Sequence, residues 1–192
     1  DIPLKSRLSA TASLGWMKQD YELVPYTTNT AIKTGAVSGV EKVTVPFNAY
    51  EKANLPKDKV DAKVNTSLFN VLFTSKPQKL IHVKARYRFY ERDNKTEEIK
   101  FPGYVRNDAV WEPEAVENLP VGYKKSTANI DVGFEVFKET VLTVGYTFDQ
   151  MKRTHREVAK SDDNIFKASL DAKPIPSLLD FKASYEKSKR EG

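Results

Sequence analysis

Three cationic side chains, Lys84, Arg86 and Arg88, recur at every second position of one segment. Ammonium and guanidinium groups spaced this way form charge-assisted hydrogen bonds to carboxylates or phosphates, and the guanidinium fork can hold such a group through two parallel contacts. Their chemistry is therefore binding rather than bond breaking. Two readings of the row stand side by side. It touches anionic groups of a partner, or it is a wetted surface neutralised by Asp131, Glu135 and Asp149 on neighbouring segments.

Other reactive groups are scarce. The chain has no cysteine and two histidines, His82 and His155. Without thiols it can form no disulfide, thiolate metal site or cysteine nucleophile, and it cannot attach a c-type haem. His82 shares the phase of Lys84 and reads as a polar-surface residue without ligand partners. His155, in Arg153-Thr154-His155-Arg156-Glu157, reads as a loop anchor, because no nucleophile–base pair accompanies it. Asp162-Asp163-Asn164 and Asp93-Asn94 offer oxygen ligands for Ca2+ but not at EF-hand spacing, and turn formation is the better account. Glu97-Glu98 reads as solvated charge. Phe101-Pro102-Gly103-Tyr104-Val105, followed by Trp111, is aromatic and punctuated by Pro and Gly within a long connection. Such loops are often functional, so it is a candidate for folding inward or docking a partner, against a loop that packs on its neighbours.

What positions these groups is a period of two. Leu4, Ser6, Leu8, Ala10, Ala12, Leu14 and Trp16 alternate with Lys5, Arg7, Ser9, Thr11, Ser13 and Gly15. That is a strand with one apolar and one polar face. The pattern recurs over Val60–Leu68, Ile81–Tyr90, Thr127–Val136, Leu142–Asp149, Phe166–Lys173 and Leu179–Glu186, which predicts about seven strands. In the second of these, Val60, Ala62, Val64, Thr66 and Leu68 are expected to form the apolar face, while Phe69 to Phe73 is apolar on both.

Connections alternate strictly between short (76–79, 137–140, 174–177) and long (about 18–57, 91–126, 152–164). In an up-and-down meander this puts tight turns at one end and long loops at the other, the asymmetry of outer-membrane β-barrels with short periplasmic turns and long extracellular loops. A strand of about 11 residues, tilted by about 45°, spans roughly 26 Å, close to the apolar band of such barrels. Trp16, Phe89, Tyr90, Phe148, Phe181 and Tyr185 lie near strand ends, where aromatic girdles belong. A face bearing Lys84, Arg86 and Arg88, or Asn129, Asp131 and Glu135, cannot fill a dry core. The predicted fold is all-β: an antiparallel up-and-down transmembrane β-barrel segment of about seven or eight strands across residues 1–192.

Composition narrows the classes further. There are 31 Lys+Arg and 26 Asp+Glu, a net charge of +5, with the signs interspersed rather than gathered in the patch of a nucleic-acid binder. Hydrophobic content of 40% argues against disorder. No apolar run reaches the length of a membrane-spanning helix. An odd strand number would leave two edges in lipid, so strands are expected to be missing and the chain to be part of a larger barrel. The other source is an eighth strand within 18–57, where Thr44-Val45-Pro46-Phe47 is a candidate demoted by its proline.

Several phrases go beyond generic patterning. Ala85-Arg86-Tyr87-Arg88-Phe89-Tyr90-Glu91-Arg92-Asp93-Asn94-Lys95-Thr96 is followed by Phe101-Pro102-Gly103-Tyr104-Val105-Arg106-Asn107-Asp108 and Trp111. Arg153-Thr154-His155-Arg156-Glu157-Val158, Ser161-Asp162-Asp163 and Ser184-Tyr185-Glu186-Lys187-Ser188-Lys189-Arg190 come later, and Pro3-Leu4-Lys5-Ser6-Arg7-Leu8-Ser9 with Met17-Lys18-Gln19 opens the set. Together they resemble the MtrB/PioB family of outer-membrane barrels, the decahaem-cytochrome-associated porins. Members are several times longer, and the paired-cysteine motif that many carry near the mature N-terminus has no counterpart here.

The resemblance implies a sheath in the outer membrane of a Gram-negative bacterium. A periplasmic multihaem c-type cytochrome occupies its lumen, with an extracellular multihaem cytochrome as a further partner. The haem belongs to the cytochrome, and the barrel binds no cofactor and catalyses nothing. Lys84, Arg86, Arg88, Asp131 and Glu135 would then be lumen contacts, the bases facing haem propionates or acidic side chains. A diffusion porin with an anion-preferring lumen is the alternative. A soluble ligand-binding β-protein and an outer-membrane enzyme come after it.

Overall fold

A computed structural model describes residues 5–24, 55–101, 104–105, 111–112, 114–175 and 179–192. In chain order the strands are β1 (Arg7–Glu22), β2 (Lys59–Gln78), β3 (Ile81–Asn94), β4 (Lys100–Phe101), β5 (Tyr104–Val105), β6 (Trp111–Glu112), β7 (Val116–Glu117), β8 (Tyr123–Phe137), β9 (Thr140–Arg153), β10 (Lys160–Ile175) and β11 (Leu179–Glu191). The seven long strands form one antiparallel meander, ordered β1-β2-β3-β8-β9-β10-β11. The sheet is not closed among the described residues, so it is a meander rather than the complete barrel, with β1 and β11 at its edges.

The chain divides into two compact units. The first holds Asp1–Trp16, Asn65–Asp93 and Val121–Gly192; the second holds Met17–Val64 and Asn94–Pro120.

Within the first unit the registers carry the alternation across the sheet. One face places Val83, Val132, Val144, Ala168 and Tyr185 in a single cross-strand row, and Ile81, Phe134, Leu142, Leu170 and Ala183 in the next. These side chains are not covered: Phe134 is 38% exposed, Val144 49%, Phe166 58% and Tyr185 66%. The only buried apolar side chains among the described residues are Val64 and Ile99, both in the second unit. A continuous exposed apolar face without a core beneath it is unfavourable in water and is what a lipid-facing wall requires.

Several expectations need correcting. The strands outrun the apolar bands that revealed them, so the third long connection is 154–159 rather than 152–164. The ladder continues because backbone pairing needs no apolar side chains: Lys160 still pairs with Lys152 and Arg153 with Tyr123. The hairpins β2–β3 and β8–β9 turn at Lys79–Leu80 and Lys138–Glu139. Glu139 adopts the left-handed backbone (φ 56°) beside a register shift between Glu135 and Phe137.

On β2 the expected apolar face is inverted. A Cβ on Gly15 would meet the Thr66 hydroxyl at 2.6 Å, which puts Thr66 on the polar side with Gly15. Phe69 is 42% exposed and occupies the outer side with Val71 and Phe73. Beyond the band the polar-side phase carries Val64, which is buried in the second unit, so one strand serves two environments with opposite patterning.

The Asp162-Asp163-Asn164 segment, expected as a turn, lies inside β10. Its side chains are engaged across the sheet: Asp162 accepts from Gln150 Nε2 at 2.9 Å, Asp163 holds Arg190, and Asn164 accepts from the Tyr146 hydroxyl at 2.6 Å. Asn94 does make a turn, its Oδ1 accepting from the Thr96 amide at 3.1 Å. Thr44–Phe47 lies outside the described residues.

Candidate lumen face

The polar side of the first unit is built from three cross-strand rows. Arg88, Thr127, Asp149, Asp163 and Arg190 form the row nearest the long connections. Arg86, Asn129, Thr147, Ile165 and Ser188 form the next, and Lys84, Asp131, Gly145, Lys167 and Glu186 the third. Four of the five predicted contacts, Lys84, Arg86, Arg88 and Asp131, therefore share one surface across β3 and β8. Glu135 lies on the same side nearer the hairpin end, opposite Val141.

The charges do not pair as a neutralised surface would have them. Asp149 holds Lys125 at 2.9 Å, Asp163 binds Arg190 through two contacts of 2.7 and 2.8 Å, and Lys167 meets Glu186 at 2.8 Å. Asp131 accepts from Asn129 Nδ2 at 3.3 Å, and Asn129 also donates to Thr147 Oγ1 at 3.0 Å. Lys84 stands directly opposite Asp131 in register, yet Lys84, Arg86 and Arg88 are exposed and make no ion pair among the described residues. Arg86 and Arg88 line a polar groove with Tyr90, Tyr123, Lys125 and Asp149. The Tyr90 and Tyr123 rings lie 5.6 Å apart, tilted.

His82 lines a separate groove nearer the hairpin end with Thr74, Lys76, Lys84, Asp131 and Thr143. His155 sits in the 154–159 connection with φ 52°. Its neighbour ties the connection to the sheet: Thr154 Oγ1 accepts from the Gly122 amide at 2.8 Å, and the Thr154 amide donates to the Gly122 carbonyl at 3.1 Å.

The aromatic loop proves to be a paired ladder in the second unit. Phe101 pairs with Val116, Tyr104 with Glu112 and Val105 with Trp111, while Pro102 and Gly103 lie outside the described residues. Asn118 ties its base, its Oδ1 accepting from the Ile99 amide and its Nδ2 donating to the Glu97 carbonyl at 3.3 Å. Glu97 pairs with Lys57.

Sequence reasoning missed Asp163, Arg190 and Lys125 as members of the polar side. The signal was present: extending the phase of Lys167 and Ser169 back along β10 lands on Asp163. The apolar stretch ends at Phe166, and with it the visible alternation.

The family model of MtrB/PioB outer membrane beta-barrel porins matches residues 1–192. This is a porin family and not an enzyme family. No curated protein matches the chain.

Proposed function

We propose the following for this chain, which belongs to the MtrB/PioB family of outer-membrane β-barrel porins and resides in the outer membrane. It forms part of the wall of a larger barrel, with its hairpin turns in the periplasm and its long connections outside. The barrel houses a periplasmic multihaem c-type cytochrome in its lumen and orients it for electron transfer across the membrane. All haem is carried by that partner, and an extracellular multihaem cytochrome docks at the long connections.

The observation that supports this reading is the strip Lys84, Arg86 and Arg88. These three exposed cations lie on the face opposite the apolar wall and lack counter-ions of their own. Carboxylates, as on haem propionates or acidic side chains, would complete them. The same strip favours a second reading, a diffusion porin that prefers anions.

The test is affinity purification of the intact parent protein in detergent, followed by a visible spectrum and a haem-stained gel. A Soret band carried by a stoichiometric second polypeptide is the expected result. A colourless barrel would sink the cytochrome reading and leave the anion porin.

A further inference from the structure

The apolar wall ends abruptly at the long-connection side. On the outer face the last fully apolar positions of β8 and β9 are Ala128 and Phe148. Two positions on, the row reads Phe89, Ser126, Gln150 and Asp162. Two further on it reads Glu91, Lys124, Lys152 and Lys160. Lys124 pairs with Lys152, and Lys152 with Lys160, so three lysines stand directly opposite one another on adjacent strands.

Like charges placed this way destabilise a sheet. The flanking members are compensated: Lys124 holds Glu91 at 2.8 Å and Lys160 holds Asp162 at 2.6 Å. Lys152, the central one, is exposed and has no ion pair of its own among the described residues. Adjacent strands lie about 4.8 Å apart, so the three lysines fall within roughly 10 Å along the sheet. Four residues of tilted strand raise the row about 9 Å above the last apolar positions, at the outer rim of a headgroup layer about 5–8 Å deep, which flexible lysine side chains can reach.

We propose that Lys124, Lys152 and Lys160 form an outward-facing site for lipid-borne phosphate in the leaflet at the long-connection end. With that end outside the cell, the ligand is the phosphorylated disaccharide headgroup of a lipid A-type glycolipid. Lys152 supplies the ammonium that no carboxylate holds in an ion pair, and Lys124 and Lys160 swing from their carboxylates to share the phosphates. The site uses the outer-membrane setting and the outward placement of the long connections. It does not depend on what fills the lumen, so failure of the cytochrome reading leaves it standing.

The test uses the intact parent protein folded in an uncharged detergent, with diphosphoryl lipid A as the probe and native mass spectrometry to count bound lipid. Wild type is expected to retain the lipid. The triple variant K124Q/K152Q/K160Q should lose binding at least tenfold, and fully dephosphorylated lipid A should bind wild type as weakly. Lys152→Gln alone removes the lysine that holds no carboxylate and should weaken binding severalfold; it carries the test if the triple variant does not fold. Equal binding by the variants, or equal binding of the dephosphorylated lipid, would overturn the proposal. Displacement by millimolar inorganic phosphate would assign the row to a free anion, and tighter binding of phosphatidylglycerol than of lipid A would assign it to another lipid. Either result would also overturn it.

Discussion

Asp131 of β8 and Gly145 of β9 are cross-strand partners, and the Asp131 carboxylate occupies the space that a side chain at position 145 would take. A Cβ on Gly145 would collide with Asp131 Oδ1. Gly145→Ala must therefore drive the carboxylate away and break its bond with Asn129. The displaced atom is the end of a flexible side chain on a half-exposed face, so the cost should be that of the lost hydrogen bond, about 0.5–1.5 kcal/mol. Removing the carboxylate in the same background, Gly145→Ala with Asp131→Ala, should restore most of the loss, because the two changes share one contact. Urea melts of the intact barrel in vesicles would show it; additive effects would mean that the carboxylate does not fill that space.

The face assignment is testable at neighbouring positions. Ile130 and Val144 point to the apolar side, and Asn129 and Thr143 to the polar side. An arginine at Ile130 or Val144 should cost about 2–4 kcal/mol if it lies near the bilayer midplane. Asn129→Arg or Thr143→Arg, one residue away, should cost well under half of that, since a wetted lumen accepts the charge. Matched costs on the two sides would remove the lipid-facing assignment.

Period two made the seven long strands and their order readable, because alternation survives wherever one face meets lipid and the other meets water. It failed where a strand leaves that environment. β2 carries Val60, Ala62, Val64, Leu68 and Leu72 in the same phase as Thr66, Asn70 and Thr74, so hydrophobicity alone selected the wrong face. Parity taken from Phe69 and Phe73 would have corrected it. The basic strip on β3 was visible as three cations two residues apart. The destinations of Asp149 and Asp163 were not, because they depend on register between strands distant in sequence. The short ladders β4–β7 and β5–β6 have two residues per strand, too few to show any period.

Within the second unit, acid and base sensitivity should centre on the Asp61–Lys63 pair. The Lys63 ammonium, hydrogen-bonded to Asp61, holds that carboxyl below its ordinary value, with Lys18 adding to it. Lys63 is raised in turn by the same bond. The carboxylate's contribution is complete above the usual Asp range and disappears as pH falls through its lowered pKa. The ammonium's contribution is complete below the usual Lys value and disappears as pH rises through its raised pKa. Protection of the Leu23 amide, which donates to the Asp58 carbonyl at 2.9 Å, should be flat between about pH 5 and pH 10 apart from intrinsic exchange, and weaken outside that window. Asp61→Asn should flatten the acid limb; an unchanged limb would place the sensitivity elsewhere.

The cationic strip makes the sharpest demand on function. Lys125 is already held by Asp149, whereas Arg86 and Arg88 line the same groove without partners of their own. If the strip meets carboxylates of a lumen partner, Arg86→Gln with Arg88→Gln removes two charge-assisted hydrogen bonds, each worth about 1.5–3 kcal/mol. Retention of the co-purifying polypeptide should then fall by at least tenfold. Lys125→Gln, which breaks an internal pair instead, should leave retention nearly unchanged. Urea melts of both variants would separate lost docking from lost folding. If the strip serves a diffusion pore, retention is irrelevant and the reversal potential in planar bilayers carries the signal. Arg86→Gln with Arg88→Gln should then shift it toward cation preference. A variant that changes neither retention nor selectivity would leave the strip as wetted wall, and the lumen's specificity would have to come from other strands.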